Sequence, residues 1–414
     1  MTTTSQPSTE GAQDRRWAGI DWSSTDHAVC IIDEAGTAID QFVITHDAPG
    51  LRQLIKVLLA AGVQEVGIER GDGPVVEALL QAELTVLVIP PSQVKNLRSR
   101  YRSAGNKDDR YDAFVLADTI RTDRARRTPL QRDSAATVAM RTTTRARRNL
   151  LAHRIAVCNQ LAAHLQLVFP GAAGLFSKLD IPISLQFLTK FTTQTDADAL
   201  TEKKLARWLT SVSYSGGTEP ADLHTRLTTA ARGITGPEAA THAVTTRAYI
   251  AILQALITQI AALEVDLAQQ LTLHPDAVIF ASLPRVRTLR ITRLISEIGD
   301  ARGRFPTPDA LAALAGVVPS TRQSGKVTTI SFRFACNREL RDALCDFADG
   351  SRHAHPWAKD IYQHAIDRGH THPHAIRVLA RAWTLIIWRC WQNHEAYDPT
   401  KHGALQALTH QQTA

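Results

Sequence analysis

The hydrophobic period changes along this chain, and the order of the changes leaves few folds open. Residues 17–22 (WAGIDW), 27–33 (HAVCIID) and 38–45 (AIDQFVIT) are short β-rich runs. Turn chemistry separates them, at residues 23–26 and at Glu34-Ala35-Gly36. Helical spacing follows over 51–61, with Leu51, Leu54, Ile55, Leu58 and Leu59 on one stripe. A strand is predicted over 63–69, a helix over 74–82, and a strand over 84–89 that stops at Pro90-Pro91. A last helix covers 108–124, with Phe114, Val115, Ala117 and Ile120 inward. Three strands on tight turns and then αβαβα predict a mixed sheet with helices on its faces, as in RNase H-like and actin-like folds.

Beyond this the pattern turns helical. Leu151, Ile155, Cys158, Ala162 and Leu165 alternate spacings of four and three, and Tyr249, Leu253, Leu256, Ile260, Leu263 and Leu267 do the same. Two such seams make either coiled-coil arms or a buried antiparallel hairpin. Between them, residues 172–241 read as a mostly helical insertion with no legible chemistry. Past Pro275, short helices are predicted over 277–283, 288–298 and 308–314, a loop over 317–325, and a β-ribbon over 327–334. Closing helices cover 338–349 and 373–391, with Trp383, Trp388 and Trp391 as core. The predicted organisation is a disordered tail (1–13), an α/β domain (14–132), a helical region with its insertion (133–274), a mostly α-helical C-terminal domain (275–398) and a frayed tail (399–414).

A chain that is 44% hydrophobic and 21% charged buries enough apolar surface to fold. Its five cysteines are scattered, odd in number and lack a C-x-x-C pair, which fits free thiols in a reducing compartment. Charged or polar residues interrupt the most apolar stretches, 248–271 and 375–391, so no membrane span is predicted. The N-terminal residues have no apolar core of a signal peptide, and a cytoplasmic protein is expected. The net charge of +7 is clustered. Arg98, Arg100 and Arg102, with Tyr101 as a base-stacking candidate, form one group. Arg124, Arg126 and Arg127, then Arg145, Arg147 and Arg148, form others. These are the candidates for contacts to a nucleic-acid backbone.

Four carboxylates carry the chemistry. Asp21 lies near the end of the first strand, in G-I-D-W, and Glu69 ends the fourth, in G-I-E-R. Asp109 and Asp112 lie three apart on the last helix, in K-D-D-R-Y-D-A, and so share a face. Asp108 is an alternative to Asp109. If the two strands are neighbours, all four side chains meet where the helix crosses the strand ends. Converging carboxylates repel unless a cation joins them, and all-oxygen ligation favours Mg²⁺ or Mn²⁺. Such ions serve phosphodiester chemistry. A dense set of histidines (His353, His355, His364, His370, His372, His374) matches no zinc-site spacing.

G-I-D-W, G-I-E and K-D-x-x-D-A-x-x-L-A resemble the D-E-D-D tetrad of the RuvC-like transposases of one group of bacterial insertion sequences, relatives of the Piv DNA invertase. Residues 294–300 (LISEIGD), Arg304-Phe305, 311–326 (LAALAGVVPSTRQSGK) and 337–344 (NRELRDAL) are similar to that family's second transposase domain. The resemblance implies a RuvC-like N-terminal domain and a site-specific DNA recombinase guided by a structured noncoding bridge RNA that pairs with target and donor DNA. It implies an Mg²⁺ site made by Asp21, Glu69, Asp109 and Asp112. It also implies a serine nucleophile that forms a phosphoserine link to DNA, matched best by Ser324 and next by Ser320. The assembly it implies is a tetramer, a dimer of dimers, whose active site takes its carboxylates and its serine from different protomers.

A serine hydroxyl needs a base, a cation or a metal to act as a nucleophile. Ser324 precedes Gly325, which lets backbone approach a phosphate, and Arg322 and Lys326 flank it. Two departures stand out. The family's P-G-x-G hairpin reads Pro284-Arg285-Val286-Arg287 here, so Arg285 and Arg287 are expected to replace a backbone contact to phosphate by charge. The family's basic S-K-R-G-N segment reads F-R-F-A-C-N over 332–337. The rival functions are a metal-dependent junction nuclease without a covalent intermediate, an actin-like phosphotransferase and a non-enzymatic RNA-binding protein.

Overall fold

A computed structural model describes residues 15–101, 108–325 and 327–413, and the side chains at 92, 98–101 and 410–413 lie outside the described set. The chain divides into two compact units, one up to Arg132 and one from Asp133 onward.

The first unit is built on a five-stranded sheet. Strands β1 (Arg16–Trp22), β2 (Asp26–Ile32) and β3 (Ala38–Thr45) form an antiparallel meander. Helix α1 (Ala48–Ala60) then carries the chain to β4 (Val63–Ile68), and α2 (Pro74–Gln81) to β5 (Thr85–Val88). Both later strands run parallel, β4 to β1 and β5 to β4, giving the order β3-β2-β1-β4-β5. The sheet is therefore mixed, as its sequence predicts. Asp47 starts α1, its carboxylate accepting the Gly50 N–H at 2.8 Å. That bond holds the Asp47 carboxyl below its usual range. Leu54 and Leu58 of α1 and Val75 and Leu79 of α2 cover Ile20, Val29, Ile31, Val66 and Ile68 on one face of the sheet. Each such fully buried side chain contributes about 1.5–3 kcal/mol.

Helix α3 (Pro91–Tyr101) occupies a stretch for which the sequence predicts no element. Pro91 is suited to open it, since a first-turn residue needs no N–H. Helix α4 (Asp109–Thr122) covers the other face of the sheet through Ala113, Val115, Leu116, Ala117 and Ile120. Asp118 is buried on α4 and paired with Arg121.

The second unit is almost wholly helical. Helices α5 (Ala135–Val168) and α11 (Pro237–Leu273) pack against each other. Their cross-links join Thr137 to His274, Thr143 to Asp266, Arg147 to Glu264 and His164 to Thr246. Residue numbers fall on one helix as they rise on the other, so the pair is antiparallel and internal to the chain. On α11 the seam Leu253, Ile260 and Leu267 is buried at heptad spacing. On α5 the expected seam is shifted: Ile155 is exposed, and Leu161 joins Leu165 inside. By length and composition α11 could cross a membrane; here it lies along α5, leaving Val244, Ile252 and Val265 exposed.

Short helices α6 to α10 (Pro170–Ala173, Pro182–Lys190, Gln194–Asp198, Glu202–Ser211, Pro220–Thr229) make the insertion, with Leu205 and Leu209 in its core. A second core gathers around Phe280, Phe347, Trp383 and Trp391. It is formed by α12 (Ala277–Ala281), α13 (Thr288–Ile298), α14 (Pro308–Leu314), α15 (Arg338–Ser351), α16 (Pro356–Asp367) and α17 (His372–Asn393).

Two expectations fail here. The predicted loop over 317–325 contains β6 (Ser320–Ser324), which pairs antiparallel with β7 (Val327–Ser331). Its polar S-T-R-Q-S run lacks the apolar alternation that marks a half-buried strand, because both faces of this hairpin meet solvent. The supposed frayed tail holds α18 (Gly403–Thr413), with Leu405 buried. Ahead of it the Tyr397 hydroxyl hydrogen-bonds His355 and His402, each at 2.8 Å.

Candidate functional site

Two glycines explain how the acidic residues of the first unit meet. Gly19 and Gly67 each lie two residues before an acid, in G-I-D and G-I-E, on the sheet face that α4 covers. A Cβ on Gly19 would stand 1.9 Å from the Ala113 carbonyl oxygen, and one on Gly67 would stand 2.8 Å from the Leu116 carbonyl oxygen. The helix thus rests on bare strand backbone. Its own small residues, Ala113 and Ala117, are fully buried there. Close approach brings the first turn of α4 over the end of β1.

As a result Asp21, Asp109 and Asp112 each offer a carboxylate oxygen within 4.8 Å of the others. Asp112 is buried, Asp21 half-buried and Asp109 exposed. Three carboxylates this close repel by about 3 kcal/mol per pair at an effective dielectric near 20, a cost that a divalent cation removes. Among the described residues no other group of three potential ligands converges in this way. In particular the C-terminal histidines form no such group: His370 and His374 meet only as a pair, their ring centres 4.0 Å apart, while His355 is tied to Tyr397, His372 to Tyr362 and His364 to Asp360.

The alternative between Asp108 and Asp109 has a structural answer. Asp108 is the N-cap of α4, and its carboxylate accepts the Arg110 N–H at 3.1 Å. Asp109 is the one that joins the cluster. Glu69 lies directly after Ile68, whose Cα partner in β1 is Ile20, so the parallel register sets Glu69 beside Asp21. It is half-buried and stands outside the trio of close oxygens. A cleft of about 360 Å³ opens here, lined by Asp21, Ser23, Asp26, Asp109 and Arg110 among others.

Ser324 is the last residue of β6, opposite Val327, in an exposed hairpin closed at Gly325, whose φ is +56°. Strand alternation puts Ser324, Arg322 and Ser320 on one face, with Thr329 and Ser331 across from the last two. The hairpin is held at its base. Phe332 lies between two guanidiniums, Arg341 at 4.4 Å and Arg377 at 4.7 Å from its ring centre. Phe334 follows, 77% exposed.

The basic residues divide. Arg145 forms a two-pronged pair with Glu297, at 2.9 and 2.8 Å, Arg147 pairs with Glu264, and Arg148 with Glu339. Arg124 pairs with Glu65, and Arg127 donates to Gln93. These bind carboxylates or amides of their own unit. Arg126, Arg285, Arg287 and Arg322 are exposed. Arg102 and Lys326 lie outside the described residues, as do the side chains of Arg98, Arg100 and Tyr101. Arg285 has φ +55°, the left-handed region that favours the glycine expected at this place. With Arg287 it lines a groove of about 860 Å³ that also holds Arg290, Arg293 and Arg147. Arg290 and Arg293, which escape a reading of charge runs, pair there with Asp346, at 3.0 and 3.4 Å. Their spacing of three on one face of α13 was the available signal.

Comparison with known proteins agrees with this organisation. Residues 18–170 match the DEDD transposase family of IS110 elements, and residues 277–363 match the transposase family IS116/IS110/IS902. The chain is similar to the "Mini-circle putative transposase for IS117" of Streptomyces coelicolor, 31% identical over 399 residues, covering 92% of this chain and 95% of that protein. It is also similar to the insertion element IS900 42 kDa protein of Mycobacterium paratuberculosis, 25% identical over 92% of this chain and 97% of the relative. Among solved structures, "T. thermophilus RuvC in complex with Holliday junction substrate" is 18% identical, with a TM-score of 0.23, and covers 28% of this chain and 99% of that one. The length and identity shared with the IS117 protein, together with the two matched domains, establish that the chain belongs to the IS110/IS116 family of insertion-element transposases.

Proposed function

We propose that this transposase is a site-specific DNA recombinase with a RuvC-like N-terminal domain, guided by a structured bridge RNA of its own element. The meeting of Asp21, Asp109 and Asp112 over the end of β1 is the observation that carries the reading. Its donors are hard oxygens without sulfur or imidazole, a set that fits Mg²⁺, with Mn²⁺ as a substitute. Bound there, with Glu69 beside Asp21, the ion supplies Lewis acidity toward a phosphodiester.

Ser324 is the proposed nucleophile. Its hydroxyl oxygen forms a bond to the DNA phosphorus and loses its proton to solvent or a base. The phosphorus–oxygen bond to one deoxyribose breaks, and that oxygen leaves as a hydroxyl. Reversal by a different DNA hydroxyl rejoins the strand and frees the serine. Arg322, on the same face of the hairpin, neutralises phosphoryl oxygen in this scheme, and Lys326 is its expected partner. Exposed Arg126, Arg285 and Arg287 and the groove at α13 support backbone contacts to DNA or RNA. The apolar residues that α11 leaves exposed support self-association, in a tetramer whose carboxylates and serine come from different copies.

Strand exchange with the flanking RNA and DNA of the element tests the proposal. Asp21→Asn and Ser324→Ala are each expected to abolish recombination, and mass spectrometry of wild-type protein is expected to find DNA on Ser324. Cleavage by Ser324→Ala without any adduct would make the protein a junction nuclease. An adduct on Ser320 would move the nucleophile four residues upstream. Normal exchange without the RNA would remove the guide.

A further inference from the structure

The ends of β1 and β4 carry more than acids. Trp22 directly follows Asp21, and Arg70 directly follows Glu69. The Arg70 guanidinium carbon lies 4.4 Å from the centre of the Trp22 ring, so cation and ring are stacked. Beneath Trp22 sits a histidine pair. His27, opposite Trp22 in the β1–β2 register, hydrogen-bonds His46 at 2.8 Å. The Ser23 N–H donates to His27 Nδ1 at 3.4 Å, which leaves Nε2 as the donor toward His46. His27 is fully buried, and burial first and His46 second push its pKa down to about 4. His27 is therefore uncharged near neutrality and does not repel Arg70.

Arg70 has no structural need of this arrangement. Its side chain is 47% exposed, and its ion-pair partner is Asp72, at 2.9 Å and more exposed still. Exposed pairs of this kind contribute little and exchange readily. Asp72 engages one edge of the guanidinium, through Nε and Nη2. Nη1 forms no hydrogen bond among the described residues.

We infer that Arg70, held flat on Trp22 at the strand ends, binds a backbone phosphodiester of the DNA that the carboxylates process. Asp72 occupies the guanidinium until a phosphate replaces it. Asp72 meets the guanidinium through a single oxygen, Oδ1, whereas a phosphate can present two oxygens to the fork in parallel. The inference rests on the reading of Asp21, Glu69, Asp109 and Asp112 as the DNA-processing site, and it adds a substrate contact to that site.

The test uses full-length protein, the element's DNA and RNA, and single-turnover cleavage. Arg70→Ala is expected to lower cleavage efficiency at least ten-fold at subsaturating DNA. It leaves thermal stability and Mn²⁺ affinity unchanged. The slope of log affinity against log salt falls by about 0.7–0.9, the loss of one phosphate contact. Arg70→Lys recovers part of the efficiency. In a scan of the phosphates around the cleaved one, a neutral methylphosphonate at the position Arg70 contacts slows the wild type and has no further effect on Arg70→Ala. Wild-type efficiency and salt slope in Arg70→Ala, with Asp21→Asn inactive, would overturn the inference and leave the carboxylate reading standing. Should Asp21→Asn also cleave normally, both fall together.

Discussion

The carbonyl oxygen of Ala113 lies 1.9 Å from the point where a Cβ on Gly19 would stand. Any side chain there must drive α4 off the sheet. Gly19→Ala is expected to cost about 1–3 kcal/mol, as overpacking does. It is also expected to weaken Mn²⁺ binding at least ten-fold, because Asp109 and Asp112 move with the helix. Thermal unfolding and calorimetric titration with Mn²⁺ read the two effects separately. An equal loss of stability from a core change in α1, on the other face of the sheet, should spare the ion.

Relief of charge repulsion gives the opposite sign at Asp112. Asp112→Asn removes one of three converging charges, so the metal-free protein is expected to unfold at a higher temperature than wild type. Mg²⁺ or Mn²⁺ should then add little further stability, whereas it raises the wild-type midpoint. Differential scanning calorimetry with and without the ion measures both, and cleavage should be lost.

Phe332 holds the serine hairpin to its unit through Arg341 and Arg377. Two such contacts contribute about 1–2 kcal/mol in all. Phe332→Ala is expected to lower the yield of Ser324–DNA adduct several-fold without changing Mn²⁺ affinity. Phe332→Tyr, which keeps the ring, should restore the yield.

The buried carboxylate of Asp133 joins the start of α5 to the turn after α13. It accepts the backbone N–H groups of Asp300 at 2.9 Å and Ala301 at 3.0 Å, and pairs with Arg141 and Arg304. Asp133→Ala leaves two guanidiniums without their partner and is expected to cost about 3–5 kcal/mol. Limited proteolysis should then cut the second unit first.

His27 and His355 make stability depend on pH. Burial first, then a neighbouring histidine (His46 and His402 respectively), lowers each pKa to about 4. Unfolding returns them to about 6.5. Between those values the unfolded chain binds more protons, so stability is full above pH 6.5 and falls as pH drops toward 4. The loss should be on the order of 1–3 kcal/mol per histidine. Denaturant titrations across this range should show a shallower slope for His27→Gln in the first unit and for His355→Gln in the second.

Much of the first unit was legible because its signals are local. Strand alternation, turn residues and the Pro90-Pro91 stop mark five strands in order, and G-I-D, G-I-E and D-x-x-D mark the acids. The role of Gly19 and Gly67 was not legible, since a glycine reveals a close approach only once the partner helix is known. The different placement of Asp108 and Asp109 was likewise hidden: either could share a face with Asp112, but Asp108 caps the helix while Asp109 lies in the close trio.

The arginines show where local reading fails. Arg145, Arg147 and Arg148 look like a cationic run, yet their partners lie more than a hundred residues away, at Glu297, Glu264 and Glu339. Long-range pairing leaves no trace in a window of sequence. Strand β6 was missed for a related reason, because hydrophobic alternation reports burial and this hairpin is not buried.

Parity constrains how the ribbon that carries Ser324 can change. Inserting a single residue between Pro319 and Ser320 would exchange its two surfaces, turning the hydroxyl and Arg322 away together and bringing Thr321 and Gln323 forward. A two-residue insertion would lengthen the arm and keep its aim. Length variants of this arm that still recombine should therefore differ by even steps, and the reach of the serine should evolve in increments of about 7 Å.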